Sequence, residues 1–314
     1  MPFLTRFKKN INRSSLIRFL VSKSKHILLP GFNGIPLYNV IDFFIQQVRT
    51  VGMKERAAAI SFNFVMAIPP TIIFLFTLLP YLPISNQFEH ALYSLIRDII
   101  PGQEHNSPLI RFIHDIINKP RTGLLSLGFI LSLYFSSNAM LGIMRSFNKN
   151  LPGFKKRTDL QKRGVALRLT LILFVLVFTS ALLLIARGVI LEYIGLKNHN
   201  VRTLINNIRW IIIILLFFGC VSYIYRHAPA VSKKWKLINP GSILASFLMI
   251  LCTYLFSYWV NHFALYNQLY GPLGTILILI AMIYFNSLVL LIGFELNVSI
   301  TALKEIAAKQ DKGM

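Results

Sequence analysis

The sequence predicts an all-α, polytopic membrane protein with six transmembrane helices, and three observations carry that prediction. Of 314 residues, 55% are hydrophobic and only 14% charged, with a mean hydropathy of +0.60. That little polar surface cannot cover that much apolar side chain in water. Between residues 237 and 303 there is one charged side chain, Glu295. The apolar runs 243–260 and 276–294 inside that stretch are each about long enough to cross roughly 30 Å of hydrocarbon at ~1.5 Å per residue. Finally, the net charge of +22 is clustered beside the apolar runs. That distribution belongs to a positive-inside membrane protein and gives no reason to expect a nucleic-acid partner.

Residues 1–36 form a basic arm with Arg6, Lys8, Lys9, Arg13, Arg18, Lys23 and Lys25 and no acid. Such an arm belongs beside anionic lipid head groups at the cytoplasmic face, each cation adding roughly 1 kcal/mol. No short apolar core with a small-residue cleavage site follows, so no cleaved signal peptide is expected. The membrane domain, 37–303, opens with an amphipathic helix over 37–56, where Val40, Phe43, Phe44, Val48 and Val51 oppose Asp42, Gln46, Gln47, Arg49 and Lys54.

The first span, about 57–79, begins with Ala57-Ala58-Ala59 and contains Asn63 and the pair Pro69-Pro70. Small residues allow close helix approach and prolines free carbonyls, so a kinked, packed helix is expected, with a hinge at Pro69 and Pro70 as the more functional reading. Residues 80–121 hold two apolar-periodic pieces separated by Pro101-Gly102, which suit two short amphipathic helices on the outer side. His90, His105 and His114 lie there at no metal-ligand spacing and read as surface histidines.

The second span, about 123–145, carries Asn138, and a basic loop follows it. The third and fourth spans fall at about 169–186 and 210–225. Cys220 and Cys252 lie within spans without CxxC or His partners, so neither a disulfide framework nor a metal site is expected. The fifth and sixth spans, about 243–260 and 276–297, are joined by a turn without Lys or Arg in which Gly271 and Gly274 supply freedom. A tail, 304–314, completes the chain. With both termini cytoplasmic, the inner connections hold 25 Lys and Arg and the outer ones eight.

Glu295 is the residue that needs explaining, because a carboxylate at mid-bilayer costs on the order of 2.5 kcal/mol or more. Entering near Thr275, twenty residues of helix descend about 30 Å and bring Glu295 close to the inner interface. Lys54, Arg56, Arg145 and Arg226 lie at the same level, and Arg226 or Arg145 are the expected partners, with Asn297 bonding a helix end. A sharper reading gathers Asn63, Asn138 and Asn286 around Glu295 into a polar cavity that admits a head group or an ion. Asparagines also join helices, so their presence alone does not decide between the two.

Four segments carry a family resemblance. Glu55-Arg56-Ala57-Ala58-Ala59-Ile60-Ser61-Phe62, Tyr225-Arg226-His227-Ala228-Pro229, Leu269-Tyr270-Gly271-Pro272-Leu273-Gly274 and Gly293-Phe294-Glu295-Leu296-Asn297 resemble, in order and spacing, the YihY/BrkB family of bacterial inner-membrane proteins. The resemblance covers roughly residues 40–303. It implies a six-span fold in the inner membrane without an assigned biochemical activity, although some members have carried a ribonuclease label. Metal-assisted phosphodiester cleavage needs clustered carboxylates or histidines, and the eleven acids here are scattered. No nuclease activity, cofactor or metal is therefore expected. Two functions remain: transport or translocation of a lipid or other amphipathic or polar solute, and a non-transporting scaffold that binds an envelope protein. An embedded enzyme ranks behind both, since no nucleophile–base pair stands out. The two halves also lack the inverted repeat of many secondary transporters.

Overall fold

The computed structural model describes residues 22–25, 27, 31–32, 34–50, 52–78, 81, 122–193, 199–262 and 272–312. Seven helices account for most of them: α1 (Leu37–Thr50), α2 (Met53–Leu78), α3 (Thr122–Ser146), α4 (Asp159–Tyr193), α5 (His199–His227), α6 (Pro240–His262) and α7 (Pro272–Lys312). No strand occurs among the described residues, and one isolated antiparallel bridge joins Phe154 to Val231. The outer helices expected over 80–121, with their three histidines, lie outside the described residues. So do Gly271 and most of the basic arm.

Helix α1 starts at Pro36, whose carbonyl accepts the amides of Asn39 and Val40. Val40 is fully buried against Phe32 and Ile300, while Ile41 and Ile45 stay exposed. The expected continuous helix over 37–56 is broken, because Gly52 adopts a left-handed φ of 58° that a side chain would resist. Lys54 consequently belongs to α2. That helix runs without interruption through Pro69 and Pro70. The hydroxyl of Thr71, one residue on, donates to the Ala67 carbonyl at 2.6 Å.

Small residues set the helix contacts, as they must where lipid offers no hydrophobic drive to association. Gly128 of α3 lies against the backbone of Phe74 on α2, and Gly142 lies against Asn63. The hydroxyls of Thr71 and Ser132 meet between them at 3.2 Å. On the other side, Gly241 of α6 and Gly293 of α7 come so close that a Cβ on either would collide with the other's carbonyl oxygen. The hydroxyl of Tyr225 on α5 donates to the Leu290 carbonyl of α7 at 2.6 Å, which locks a third helix onto this contact.

Among the described residues, four helices are long and apolar enough to cross a membrane: α2, α3, α6 up to Trp259, and α7 from Ile276 to Gln310. Helices α4 and α5 are 35 and 29 residues long. At one end of the bundle the loop after α3 packs on the loop after α5. Lys155 donates its amide to the Ala230 carbonyl, and Ser232 donates to that of Gly153. This end, called the polar end below, contains Glu295.

Candidate functional site

Three elements meet at Glu295. The carboxylate belongs to α7 and is fully buried, Arg56 stands in the second turn of α2, and Lys149 lies three residues beyond α3. Arg56 Nη1 and Lys149 Nζ both approach the same oxygen, Glu295 Oε1, at 2.8 Å. The side chains of Arg56 and Lys149 are 17% and 7% exposed, so the cluster is shielded from solvent on all three members. Gln47 of α1 lies 3.5 Å from Lys149 Nζ through its side-chain oxygen. Two buried polar atoms of the cluster, Arg56 Nη2 and Glu295 Oε2, have no hydrogen-bond partner among the described residues.

Burial pushes the Lys149 ammonium below the usual lysine range. Its hydrogen bond and charge interaction with Glu295 oppose that fall, and the neighbouring Arg56 adds to it. Phe147 and Phe294, each within two residues of a member of the cluster, belong to a largely buried aromatic group. Phe147 and Phe294 stack at 4.0 Å, Tyr225 lies 5.8 Å from Phe147, and Trp235 lies 5.8 Å from Phe294. The burial of the cluster raises the cost of any charge left unpaired.

The expected partners of Glu295 are corrected by this geometry. Arg145 is exposed in the last turn of α3 and Arg226 half-buried in the last turn of α5, and Arg56 and Lys149 make the ion pairs instead. Rotation about the helix axis explains the outcome. Cations at one membrane level still point in different directions, and beyond Ser146 the chain leaves the helix, so Lys149 turns inward where Arg145 does not. By sequence Lys149 falls in the basic loop after the second span. The signal available for it was its place just past the end of a span, at the level of the carboxylate.

The asparagines do not gather around Glu295. Asn63 donates to its own helix at the Ala59 carbonyl. Asn138 accepts from Arg163, whose guanidinium also lies over the Tyr134 ring. Asn286 donates to Met282 and contacts Thr253 at 3.4 Å. Asn297, two residues beyond Glu295 and so about 200° around the helix, faces α6. There it accepts the Gly241 amide at 2.9 Å and donates to Asn239 at 2.6 Å. Asn239 in turn accepts the Ser242 amide at 2.8 Å and caps α6. Gly274 is buried in the first turn of α7, and Pro69 and Pro70 lie inside α2.

A further polar clamp went unread in the sequence. Arg157 donates to the carbonyls of His227, Ala228 and Pro229, which closes the C-terminal end of α5 with a cation as its dipole favours. Among the described residues, no three His, Cys, Asp or Glu side chains assemble as a metal-ligand set.

Long apolar helices and a shielded charge cluster at one end define a helical, multi-pass membrane protein. The chain belongs to the BrkB family: the family model described as Virulence factor BrkB matches residues 44–313. The resemblance seen in the four motifs is thus confirmed. The chain is 28% identical over 250 residues to a ribonuclease-like protein, YfkH, of Bacillus subtilis, a match that covers 78% of this chain and 88% of that one. It is 24% identical over 259 residues to a UPF0761 membrane protein of Xanthomonas campestris, covering 80% of this chain and 58% of the relative. A UPF0761 membrane protein of Idiomarina loihiensis is 35% identical over 91 residues, 29% of this chain and 32% of its own length. No solved structure matches the chain.

Proposed function

We propose that this is a six-span protein of the bacterial inner membrane, with both termini cytoplasmic, that translocates a lipid or another amphipathic or polar solute and meets its head group at Arg56, Lys149 and Glu295. One observation carries the reading: a fully buried carboxylate holds two nearly buried cations where three chain segments meet. Charges withdrawn from water in a membrane protein mark solute paths more often than they add stability. The lengths of α4 and α5 support reading them as the third and fourth spans, and the excess of Lys and Arg on the inner connections supports the orientation.

The test is movement of head-group-labelled phospholipid in vesicles containing the purified protein. Wild-type protein should speed exchange between leaflets over protein-free vesicles. Arg56→Gln should return it to the background rate while still eluting as a single folded species. A wild-type rate equal to that of empty vesicles contradicts translocation. The scaffold alternative draws support from an apolar cavity of about 370 Å³ between α6 and α7, lined by Phe256, Trp259, Leu277, Ile278, Ala281 and Phe285. Its mark would be a stable envelope partner in gentle detergent, released by a charge at Ala281.

A further inference from the structure

The charge at the Glu295 cluster does not balance. Arg56 and Lys149 bring two positive charges and Glu295 one negative, all in a shielded place. Both cations compete for Oε1, while Glu295 Oε2 and Arg56 Nη2 are buried without a partner among the described residues. A surplus positive charge in low dielectric can be relieved in two ways. Lys149 can release a proton, since a guanidinium cannot, or an anion can join the cluster.

Proton release leaves Arg56 Nη2 an unused donor and Glu295 Oε2 an unused acceptor. An anion without hydrogen, such as chloride, serves Nη2 but repels Oε2. An anion that carries its own O–H or N–H satisfies the surplus charge, the donor and the acceptor together. Guanidinium and ammonium side by side match tetrahedral oxyanions well. A singly protonated phosphate is both anion and donor, whereas a carboxylic acid loses its charge on gaining its proton.

Resting on the head-group reading above, we propose that Arg56, Lys149 and Glu295 bind a phosphate group that brings its own hydrogen-bond donor. Its anionic oxygens accept from Arg56 Nη2 and Lys149 Nζ, and its donor meets Glu295 Oε2. An aminoethyl phosphate lipid head and free hydrogen phosphate share the anionic oxygens and the donor; hydrogen phosphate also cancels the surplus charge, whereas the zwitterionic lipid head sets its phosphate against Arg56 and Lys149 and its own ammonium against Glu295 Oε2. A trimethylammonium head group has the phosphate but no N–H, so Oε2 discriminates against it.

The experiment uses full-length protein in nanodiscs of equal phosphatidylethanolamine and phosphatidylcholine, with bound lipid read by native mass spectrometry. A charged hydrogen bond gained or lost corresponds to about tenfold in occupancy, so roughly tenfold enrichment of phosphatidylethanolamine is expected. Arg56→Lys keeps the charge and one donor to Oε1 but removes Nη2; it should keep its thermal transition and lose the enrichment. A head group as the source predicts enrichment that inorganic phosphate does not reverse. Free phosphate as the source predicts that inorganic phosphate binds wild-type protein in phosphatidylcholine-only nanodiscs and does not bind Arg56→Lys.

Three results overturn the proposal: neither probe distinguished from phosphatidylcholine and chloride, lipid enrichment that survives in Arg56→Lys, or phosphate binding in phosphatidylcholine-only nanodiscs that survives in Arg56→Lys. Enrichment without lipid movement defeats the translocation reading and leaves the site standing. Lipid movement with neither enrichment nor phosphate binding does the reverse.

Discussion

Helix α7 presents two different surfaces along one continuous rod. Between residues 290 and 302 it is buried almost all round, with Leu291, Phe294, Glu295, Val298, Ser299 and Ala302 fully or nearly fully covered. Between 276 and 285 the same helix exposes Ile276, Leu277, Leu279, Ile280 and Phe285. The buried stretch is the less apolar of the two, since it holds Glu295, Asn297, Ser299 and Thr301, so hydrophobicity does not account for its burial. What separates them is specific contact. The polar end has a close glycine crossing with α6, the Asn297–Asn239 bond, the Trp235–Thr301 bond at 2.9 Å and the Glu295 ion pairs. The far end has aliphatic and aromatic side chains for which lipid is as good a neighbour as protein. In a membrane, apolar surface alone does not specify a helix partner, and small residues and satisfied polar groups do.

This contrast fixes the order of mutational effects. The largest loss should follow Glu295→Ala, which leaves two nearly buried cations facing each other, at a cost of about 3–5 kcal/mol. Unfolding of the purified variant in mixed micelles reads this directly, and a change within error of zero would show the pair to be dispensable. Next comes Gly293→Val, whose branched side chain would meet the Gly241 carbonyl, the Tyr225 hydroxyl and Ala245 together. All three belong to other helices, so overpacking should cost about 1–3 kcal/mol or more and separate α6 from α7 in cross-linking across the pair. Arg157→Gln removes a charged donor from three carbonyls at the end of α5 and should cost about 1.5–3 kcal/mol. Faster hydrogen exchange at residues 224–232 would report it. The smallest effect belongs to the far end: Leu277→Ala on the exposed face of α7 should stay within about 0.5 kcal/mol of wild type. A loss there comparable to that of Gly293→Val would erase the distinction between the two ends.

The membrane helices were legible because length and apolarity are local properties that the bilayer reads directly. Glu295 stood out for the same reason, as the one charge in a long uncharged stretch. Its partners were not legible, since they depend on helix rotation and on the path of the chain past a helix end. Arg56 was one of four cations at the right level, and Lys149 lay in a loop whose inward turn no periodicity encodes. The asparagines misled because each has a short-range partner. Asn63 and Asn286 bond their own helices, and Asn138 accepts from an arginine on the next helix. Pairwise closeness of polar residues in a list of spans is thus weaker than register. Asn297 and Glu295 are two residues apart and serve different helices.

The most direct test is a double-mutant cycle on Arg56 and Glu295. Unfolding free energies would be measured for wild type, Arg56→Gln, Glu295→Gln and the double variant in the same micelles. If α2 and α7 are joined through this pair, the double variant should be less destabilised than the sum of the singles, with a coupling of about 1–3 kcal/mol. Additivity within about 0.5 kcal/mol would mean that the two side chains do not meet, and the cluster at the polar end would have to be abandoned.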